Sequence, residues 1–224
     1  MKNLKLVLAF IVLFSVTGCI TTVPISQEFY KGTKVGVIIQ MNNDPSVIRA
    51  QTNGITRIIT ESDNKFHIGL SEIKSNFNFK ESLKKEISNT LSSKNKSFEI
   101  ISENFNDASL TKFEAPNLEI EYPELDFRFM KGKYNVDEIL FIKVHNYGLL
   151  LIYSGVLLAT KKGHTLIDTQ IIDLKDNSLL QQKRFETNTK IKGSWKGEGD
   201  YKNLQTSIQK TIDKSVLKIK QKLQ

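Results

Sequence analysis

The chain has 224 residues, of which 39% are hydrophobic and 25% charged, and its formal net charge at pH 7 is +8. This composition predicts one domain with a hydrophobic core, or at most two small ones. Cys19 is the single cysteine, which excludes an intrachain disulfide framework and a cysteine-based metal cluster. The positive charge favours anionic surfaces but does not choose among membranes, cell-wall polymers and nucleic acid.

The first 18 residues have the layout of a secretory signal peptide. A short cationic segment, Met1–Lys5, precedes an uninterrupted apolar run, Leu6–Phe14, and small residues follow. A bilayer-spanning helix needs about 20 apolar residues, so this run is too short to cross a membrane. We therefore predict that residues 1–18 form a signal peptide.

The end of this leader, Val16-Thr17-Gly18-Cys19, resembles the lipobox of bacterial lipoproteins. The resemblance implies that Cys19 is the lipid-attachment residue, that the leader is cut before it, and that acyl chains such as palmitate anchor the protein to a membrane. Aspartate after the cysteine often implies retention at the inner membrane of Gram-negative bacteria. Because Ile20 stands there, the resemblance implies an outer-membrane location facing the periplasm in such a host.

The mature chain divides into a tether and a domain. Residues 19–33 are short, polar and interrupted by Pro24, which predicts a lipidated tether. Residues 34–224 then form a single predicted α/β domain. Its first element is a buried strand, "KVGVIIQ" at 34–40, followed by a loop.

The middle of the chain predicts a hairpin, a helix and a strand in that order. The segments "ITRIIT" (55–60) and "KFHIGL" (65–70) flank a turn and predict the hairpin. Apolar residues at every fourth position from Phe79 to Leu91, after Asn78 as N-cap, predict a helix over 79–93. "SFEIIS" (97–102) predicts a strand, and the mixed, polar residues 103–135 predict an excursion outside the core.

The region 136–188 predicts four antiparallel strands joined by three turns. The second of these strands contains Leu149–Ala159, which is apolar on both faces. A central strand covered on both sides is favoured, and a subunit interface or a membrane-inserted strand are the alternatives. A glycine-rich loop at 192–199 then leads to a final helix over 201–223.

These elements predict an α/β (α+β) fold, with a mixed, largely antiparallel sheet and two main helices packed on one face. With the lipobox, the arrangement of "KVGVIIQ", "VDEILFIKV" and "TLIDTQIIDLKDNSLLQQKRF" resembles the curli-secretion lipoprotein and the lipoprotein activator of penicillin-binding proteins. The resemblance implies an envelope protein of this type and assigns no functional residue other than Cys19.

Candidate chemical groups are sparse. His67, His145 and His164 have no metal-ligand spacing, although His145 and His164 flank a predicted strand and could approach each other. Glu119 and Glu121 alternate with apolar residues, which favours a solvated strand face over a catalytic pair. We therefore predict no catalytic, cofactor or metal site, and no enzyme activity.

Two features are candidate partner contacts. Trp195, the only tryptophan, lies between glycines, and it either is displayed as a contact residue or folds back onto the core. Lysines at four-residue intervals on the last helix lie opposite its apolar stripe and favour either a solvated face or contact with anionic lipid or an acidic partner. They are Lys210, Lys214, Lys218 and Lys222.

The sequence therefore predicts a membrane-anchored lipoprotein that binds a protein partner or assembles with further copies of itself, without enzymatic activity. The alternative is a carrier or sensor for a small apolar ligand or lipid, with the apolar strand as a cavity wall. Nucleic-acid binding is disfavoured because aromatic residues are not interleaved with the basic ones.

Overall fold

The computed structural model describes residues 22–31, 34–51, 64–102, 105, 107–155 and 157–224. Within these ranges the regular elements are β1 Val35–Met41, β2 Ser46–Gln51, α1 Asn64–Ile73, α2 Phe79–Ser93, β3 Phe98–Ile100, α3 Met130–Tyr134, β4 Glu138–Ser154, β5 Leu157–Asp173, β6 Leu179–Lys190 and α4 Lys202–Lys222. In these ranges, no helix has both the length and the apolar character needed to cross a bilayer.

The strands form one mixed sheet in the order β3-β1-β4-β5-β6. β1 pairs in parallel with β3 and with the first half of β4, and β2 pairs in parallel with the second half of β4. The long ladders β4–β5 and β5–β6 are antiparallel. The predicted mixed, largely antiparallel sheet is therefore confirmed.

Helices α1, α2 and α4 cover one face of the sheet. The predicted stripe of α2 is buried there at Phe79, Leu83, Ile87 and Leu91, and so is most of the α4 stripe. Both helices share a hydrophobic cluster with alternate residues of the strands, such as Leu140, Ile142 and Ile167. The amphipathic pattern thus places both predicted helices on one face, and α1 adds a third.

Residues 65–70, predicted as a strand, lie in α1. Phe66, Leu70 and Ile73 are buried at intervals of four and three residues, which is the spacing of one helix face and not of a strand. The other predicted strand of that hairpin, residues 55–60, lies outside the described residues. Strand β2, which the sequence did not predict, pairs with β4 instead.

The region predicted as four strands contains three. β4 continues from Glu138 past Gly148 to Ser154, and the chain turns at Gly155, where φ is +59°. Residues Leu149–Ala159 are therefore two arms of one hairpin, not one central strand. Leu149 and Leu151 are fully buried, whereas Leu157 beyond the turn is 72% exposed. A continuous apolar run conceals a turn because no change of period marks it.

Part of the excursion predicted at 103–135 belongs to the core. Phe127 and Met130 are buried against Ile38 and Phe141 on the sheet face opposite the three helices. Asn177 holds this segment, since its side chain accepts a hydrogen bond from the Phe127 N–H (2.9 Å) and donates one to the Leu125 carbonyl (3.0 Å). Isolated aromatic residues in a polar stretch follow no period, so the sequence pattern did not reveal this second cluster.

α4 approaches β5 closely at a stripe of small residues. The Ser207 hydroxyl accepts a hydrogen bond from the Gly163 N–H (3.1 Å) and donates one to the Thr189 carbonyl (2.7 Å). About two turns further along α4, the hydroxyls of Thr165 and Ser215 lie 2.6 Å apart. These bonds satisfy polar groups that the close approach buries.

Candidate functional site

A pocket of about 430 Å³ opens on the sheet face opposite the three helices, beside the second hydrophobic cluster. One part of its lining is apolar or aromatic, and the other part carries charged and amide side chains, most of them from β4, β5 and β6. The lining residues that carry this division are Tyr122, Leu125, Phe127 and Phe141 on the apolar side and Asp107, Lys143, His145, Asp168, Gln170, Gln182 and Arg184 on the polar side.

Asp168 is the centre of the polar part of the lining. The Arg184 guanidinium donates two parallel hydrogen bonds to its carboxylate, Nε to Oδ1 and Nη2 to Oδ2, each 2.7 Å long. His145 Nε2 lies 2.7 Å from Oδ2 and donates to it, because an ionised carboxylate can only accept. Three strands therefore contribute one side chain each to a single ion-paired cluster.

The register of the sheet brings these three residues together. Asp168 pairs directly with Arg184 across the β5–β6 ladder, so both side chains leave the sheet on the same face. On β4, the ladder is irregular between Val144 and Asn146. His145 is the residue inside this irregularity, and it lies on the same face of β4 as Phe141 and Lys143, which line the same pocket.

The cluster keeps Asp168 ionised. Burial by itself would raise the pKa of this carboxyl, but the hydrogen bonds and positive charges of Arg184 and His145 outweigh burial and lower the pKa to about 2. At neutral pH the carboxylate is thus a fixed acceptor rather than a group ready to exchange a proton.

A second ion pair lies beside this cluster, since Lys143 is the direct cross-strand partner of Asp168. Lys143 on β4 pairs with Asp107, and Gln40 on β1 donates a further hydrogen bond to the same carboxylate (3.1 Å). The hydrogen bond from Lys143 is the main cause that lowers the pKa of Asp107, and burial opposes it. The pocket therefore presents paired, permanently charged groups beside an aromatic lining, an arrangement suited to recognition.

The N-terminal end of the described chain lies beside this pocket. Val23 and Gln182 exchange two backbone hydrogen bonds of 3.0 Å, and the Ser26 N–H donates to the Leu180 carbonyl (3.0 Å). Lys183 donates to the hydroxyl of Thr22 (3.2 Å). Residues 22–26 therefore run along the outer edge of β6, where they cover part of the last strand of the sheet.

Residues 22–31, predicted as part of the tether, are packed against the domain. Phe29 is fully buried in the larger hydrophobic cluster, and the Lys96 ammonium lies 4.5 Å from its ring centroid. Lys96 in turn pairs with Glu138 at 2.6 Å in a buried ion pair. The short polar sequence concealed this role because a single aromatic residue, Phe29, carries most of the burial.

Comparisons with known proteins place the chain beside solved bacterial structures of similar architecture. No family model and no curated protein matches it. Lipoprotein GNA1162 from Neisseria meningitidis is 10% identical, covers 83% of this chain and 97% of its own, and has a TM-score of 0.34. The PelC dodecamer from Paraburkholderia phytofirmans is 11% identical, with coverages of 86% and 94% and a TM-score of 0.34.

Protein XCC0632 from Xanthomonas campestris is 9% identical, with coverages of 88% and 87% and a TM-score of 0.39.

The predicted site residues lie in separate places. Cys19 lies outside the described residues. Trp195 is half-buried, with its ring centroid 4.8 Å from that of Phe66 and 5.3 Å from that of Tyr201. Of the two predicted arrangements, display as a contact residue or packing back onto the core, the structure has the second. Gly69 leaves room for it, because a Cβ there would lie 2.9 Å from the Trp195 ring.

Of the four lysines of α4, Lys218 lies on the flank of the helix nearest β6. Lys218 donates to the Glu186 carbonyl and to the Thr187 hydroxyl, each at 3.0 Å. Lys214 and Lys222, one turn to either side of Lys218, share this flank and are exposed, as is Lys210. The opposite flank faces α2, where Lys220 pairs with Glu86 at 2.7 Å.

The remaining candidates do not form a site together. His145 belongs to the pocket, whereas His164 bonds with Asn188 at 2.8 Å and His67 with Arg49 at 3.1 Å. Glu119 and Glu121 are exposed and lie in a turn and an irregular segment, not on a strand. In the described part of the chain, no group of three acidic, histidine or cysteine side chains is placed to hold a metal ion.

Asp168, Arg184 and Lys143 were not among the candidate residues predicted from the sequence. Counting equal distances from the turn at 174–177 would pair Asp168 with Lys183, because the β5–β6 ladder is irregular between Ile171 and Ile172. The β4–β5 ladder is irregular too, between Val144 and Asn146, so counting does not find the contact of His145 with Asp168 either.

Proposed function

We propose that this protein is a bacterial envelope lipoprotein, anchored through Cys19, that binds a protein partner or further copies of itself without catalysing a reaction. The observation that carries the proposal is the position of the lipobox. Its cysteine stands four residues before Val23, the first residue that pairs with the sheet. The leader therefore ends where the folded domain begins, which is the layout of a directly anchored domain.

The chemistry of the pocket supports a binding role. General acid–base catalysis requires a group whose pKa lies near the working pH. The two carboxyl groups of the ion pairs, Asp168 and Asp107, instead have lowered pKa values and accept hydrogen bonds from cationic neighbours. Such fixed charges orient a partner and do not transfer protons at neutral pH.

We place the proposed contact at the tip of the β4–β5 hairpin. Leu157 there is 72% exposed, and the two strands extend beyond the last paired residue of β6, Lys190. Leu157 is therefore the apolar side chain with which the hairpin tip would touch another surface. In a Gram-negative host, Ile20 after the cysteine favours the outer membrane, with the domain in the periplasm.

Substitution of Cys19 by alanine tests the anchor. We expect the variant Cys19→Ala to keep its leader and to lose the mass of the acyl chains on the N-terminal peptide. Processing and membrane partition equal to those of the unaltered chain would refute the lipoprotein proposal.

Light scattering on the purified protein and crosslinking in intact cells test the assembly part. We expect light scattering to give a mass above that of one chain, or crosslinking to capture a partner. We expect the variant Leu157→Asp to lower that mass or the yield of the crosslinked species. A strict monomer without any crosslinked partner would overturn this part while leaving the anchor untouched.

A second candidate function, carriage of a small ligand, is favoured by the pocket itself. Its aromatic and charged lining residues suit a molecule with one apolar and one polar end. The apolar segment Leu149–Ala159 does not line this pocket, so the predicted cavity wall was wrong. Native mass spectrometry of the purified protein tests the idea, and a chain that never carries a bound molecule contradicts it.

A further inference from the structure

The tether between the lipid and the folded domain is very short. Residues 22–26 are bonded to the outer edge of β6, so only residues 20 and 21 separate Cys19 from the bonded segment. An extended chain spans at most about 3.5 Å per residue, so the α-carbon of Cys19 lies within about 11 Å of that of Thr22. A lipid on Cys19 therefore holds the β6 edge against the membrane surface.

The same edge carries positive charges that are not neutralised by carboxylates. Lys183 and Lys218 donate to neutral oxygens, the Thr22 hydroxyl in one case and the Glu186 carbonyl and Thr187 hydroxyl in the other. Lys214 and Lys222 extend this row along α4, and in the described part of the chain neither forms an ion pair. We call Lys183, Lys214, Lys218 and Lys222 the basic flank.

On the side of α4 facing α2, Lys220 is paired with Glu86 and Lys84 with Glu81. On the side facing β6, the exposed Glu186 lies beside the basic flank, and its carboxylate accepts a hydrogen bond from Asn188. The basic flank therefore lies on the side of the domain where residues 22–26 meet β6.

We propose that the basic flank is a membrane-contact surface that lies on anionic lipid headgroups of the bilayer to which Cys19 is attached. The proposal rests on the lipid anchor described above. Cationic side chains near an anionic leaflet bind it electrostatically, and the attraction fades within about 10 Å. The short tether keeps the flank inside that range, so the anchored domain has one preferred orientation, with β6 and α4 towards the lipid.

Lysine labelling on the lipidated full chain in nanodiscs tests the proposal. The protein is placed in discs of phosphatidylcholine with or without phosphatidylglycerol, and amine labelling is measured for each lysine by mass spectrometry. We expect labelling of the basic flank to fall about fivefold in the anionic discs. Lys80 and Lys85 on α2 serve as internal controls whose labelling should not change.

A charge-removing variant makes the test specific. The triple change Lys183→Gln, Lys214→Gln and Lys222→Gln leaves the packed Lys218 in place. We expect it to abolish the lipid-dependent amide protection of residues 184–190. The matched triple change Lys65→Gln, Lys80→Gln and Lys85→Gln, away from β6, should leave that protection intact.

The outcomes separate the two proposals. A lipidated chain whose basic flank is labelled equally in both kinds of disc overturns the orientation proposal alone, as does protection of the α2 lysines instead. An N-terminal peptide without lipid, read from the same spectra, overturns the anchor and the orientation together.

Discussion

Asp168 shows how a single residue links the sheet register to electrostatics. Its carboxylate joins Arg184 on β6 and His145 on β4, and its side chain is only 18% exposed. Because a buried carboxylate without partners would favour its neutral form, the ion pairs and not the burial determine its charge. The cluster therefore stabilises the fold as well as shaping the pocket.

This cluster predicts an acid-dependent loss of stability. The folded pKa of Asp168 is lowered from about 3.8 to about 2, so its stabilisation is fully present above the unfolded pKa and is lost as the pH falls through the folded one. We expect the difference in free energy of unfolding between the unaltered chain and Asp168→Asn to shrink by about 2 kcal/mol between pH 5 and pH 2.

Urea denaturation at a series of pH values measures this difference. Asp176→Asn, in the exposed turn after β5, is the control and should show no such pH-dependent difference. A constant gap between the unaltered chain and Asp168→Asn across the pH range would show that the ion pairs do not depress the pKa.

At the scale of elements, the contact between α4 and β5 depends on the absence of a side chain at Gly163. A Cβ at this position would lie 2.6 Å from the Ser207 carbonyl oxygen and 2.7 Å from the Thr211 hydroxyl. The first of these is backbone, so it cannot move without displacing the helix. The small-residue stripe of α4 and Gly163 thus act as one packing unit.

We expect Gly163→Ala to lower the free energy of unfolding by about 1–3 kcal/mol, since overpacking displaces α4 from the sheet. Gly132→Ala in α3 is the matched control, because a Cβ there meets no atom within 4 Å. Alanine has the higher helix propensity, so the control should be neutral or slightly stabilised. Equal stabilities for the two variants in chemical denaturation would contradict the packing argument.

At the scale of the whole molecule, residues 22–31 attach the start of the described chain to the core. They cover the β6 edge through Val23, bury Phe29, and bond the Tyr30 hydroxyl to the Leu223 carbonyl (2.5 Å) at the end of α4. Covering an exposed sheet edge also blocks unwanted pairing with other chains. The segment is thus part of the folded domain.

We expect Phe29→Ala to cost about 3–5 kcal/mol of folding free energy, because it leaves a cavity and removes the ring beneath Lys96. Phe129→Ala removes the same side chain at a position that is 53% exposed and should cost less than about 0.5 kcal/mol. Urea denaturation of both variants measures the contrast. Similar losses for the two would mean that residues 22–31 are not part of the cooperative unit.

The sequence by itself determined the local elements of this protein. The four-residue spacing of apolar residues in α2 and α4 indicates burial on one helix face, and the β-branched run of β1 indicates a strand buried on both faces. Both patterns depend only on near neighbours in the chain. The lipobox resemblance is local too, since a leader and its cysteine are contiguous. α1 was mistaken for a strand because its short apolar run fits both periods.

Only the tertiary structure decided what meets across the sheet. The pairing of Asp168 with Arg184 depends on the register of β5 and β6, which is irregular between Ile171 and Ile172. The contact of His145 with Asp168 depends on the register of β4 and β5, which is irregular between Val144 and Asn146. The place of residues 22–31 depends on a free edge of β6 some 160 residues away in the chain. Such contacts arise when the whole domain closes, because their energy comes from partners that are remote in sequence.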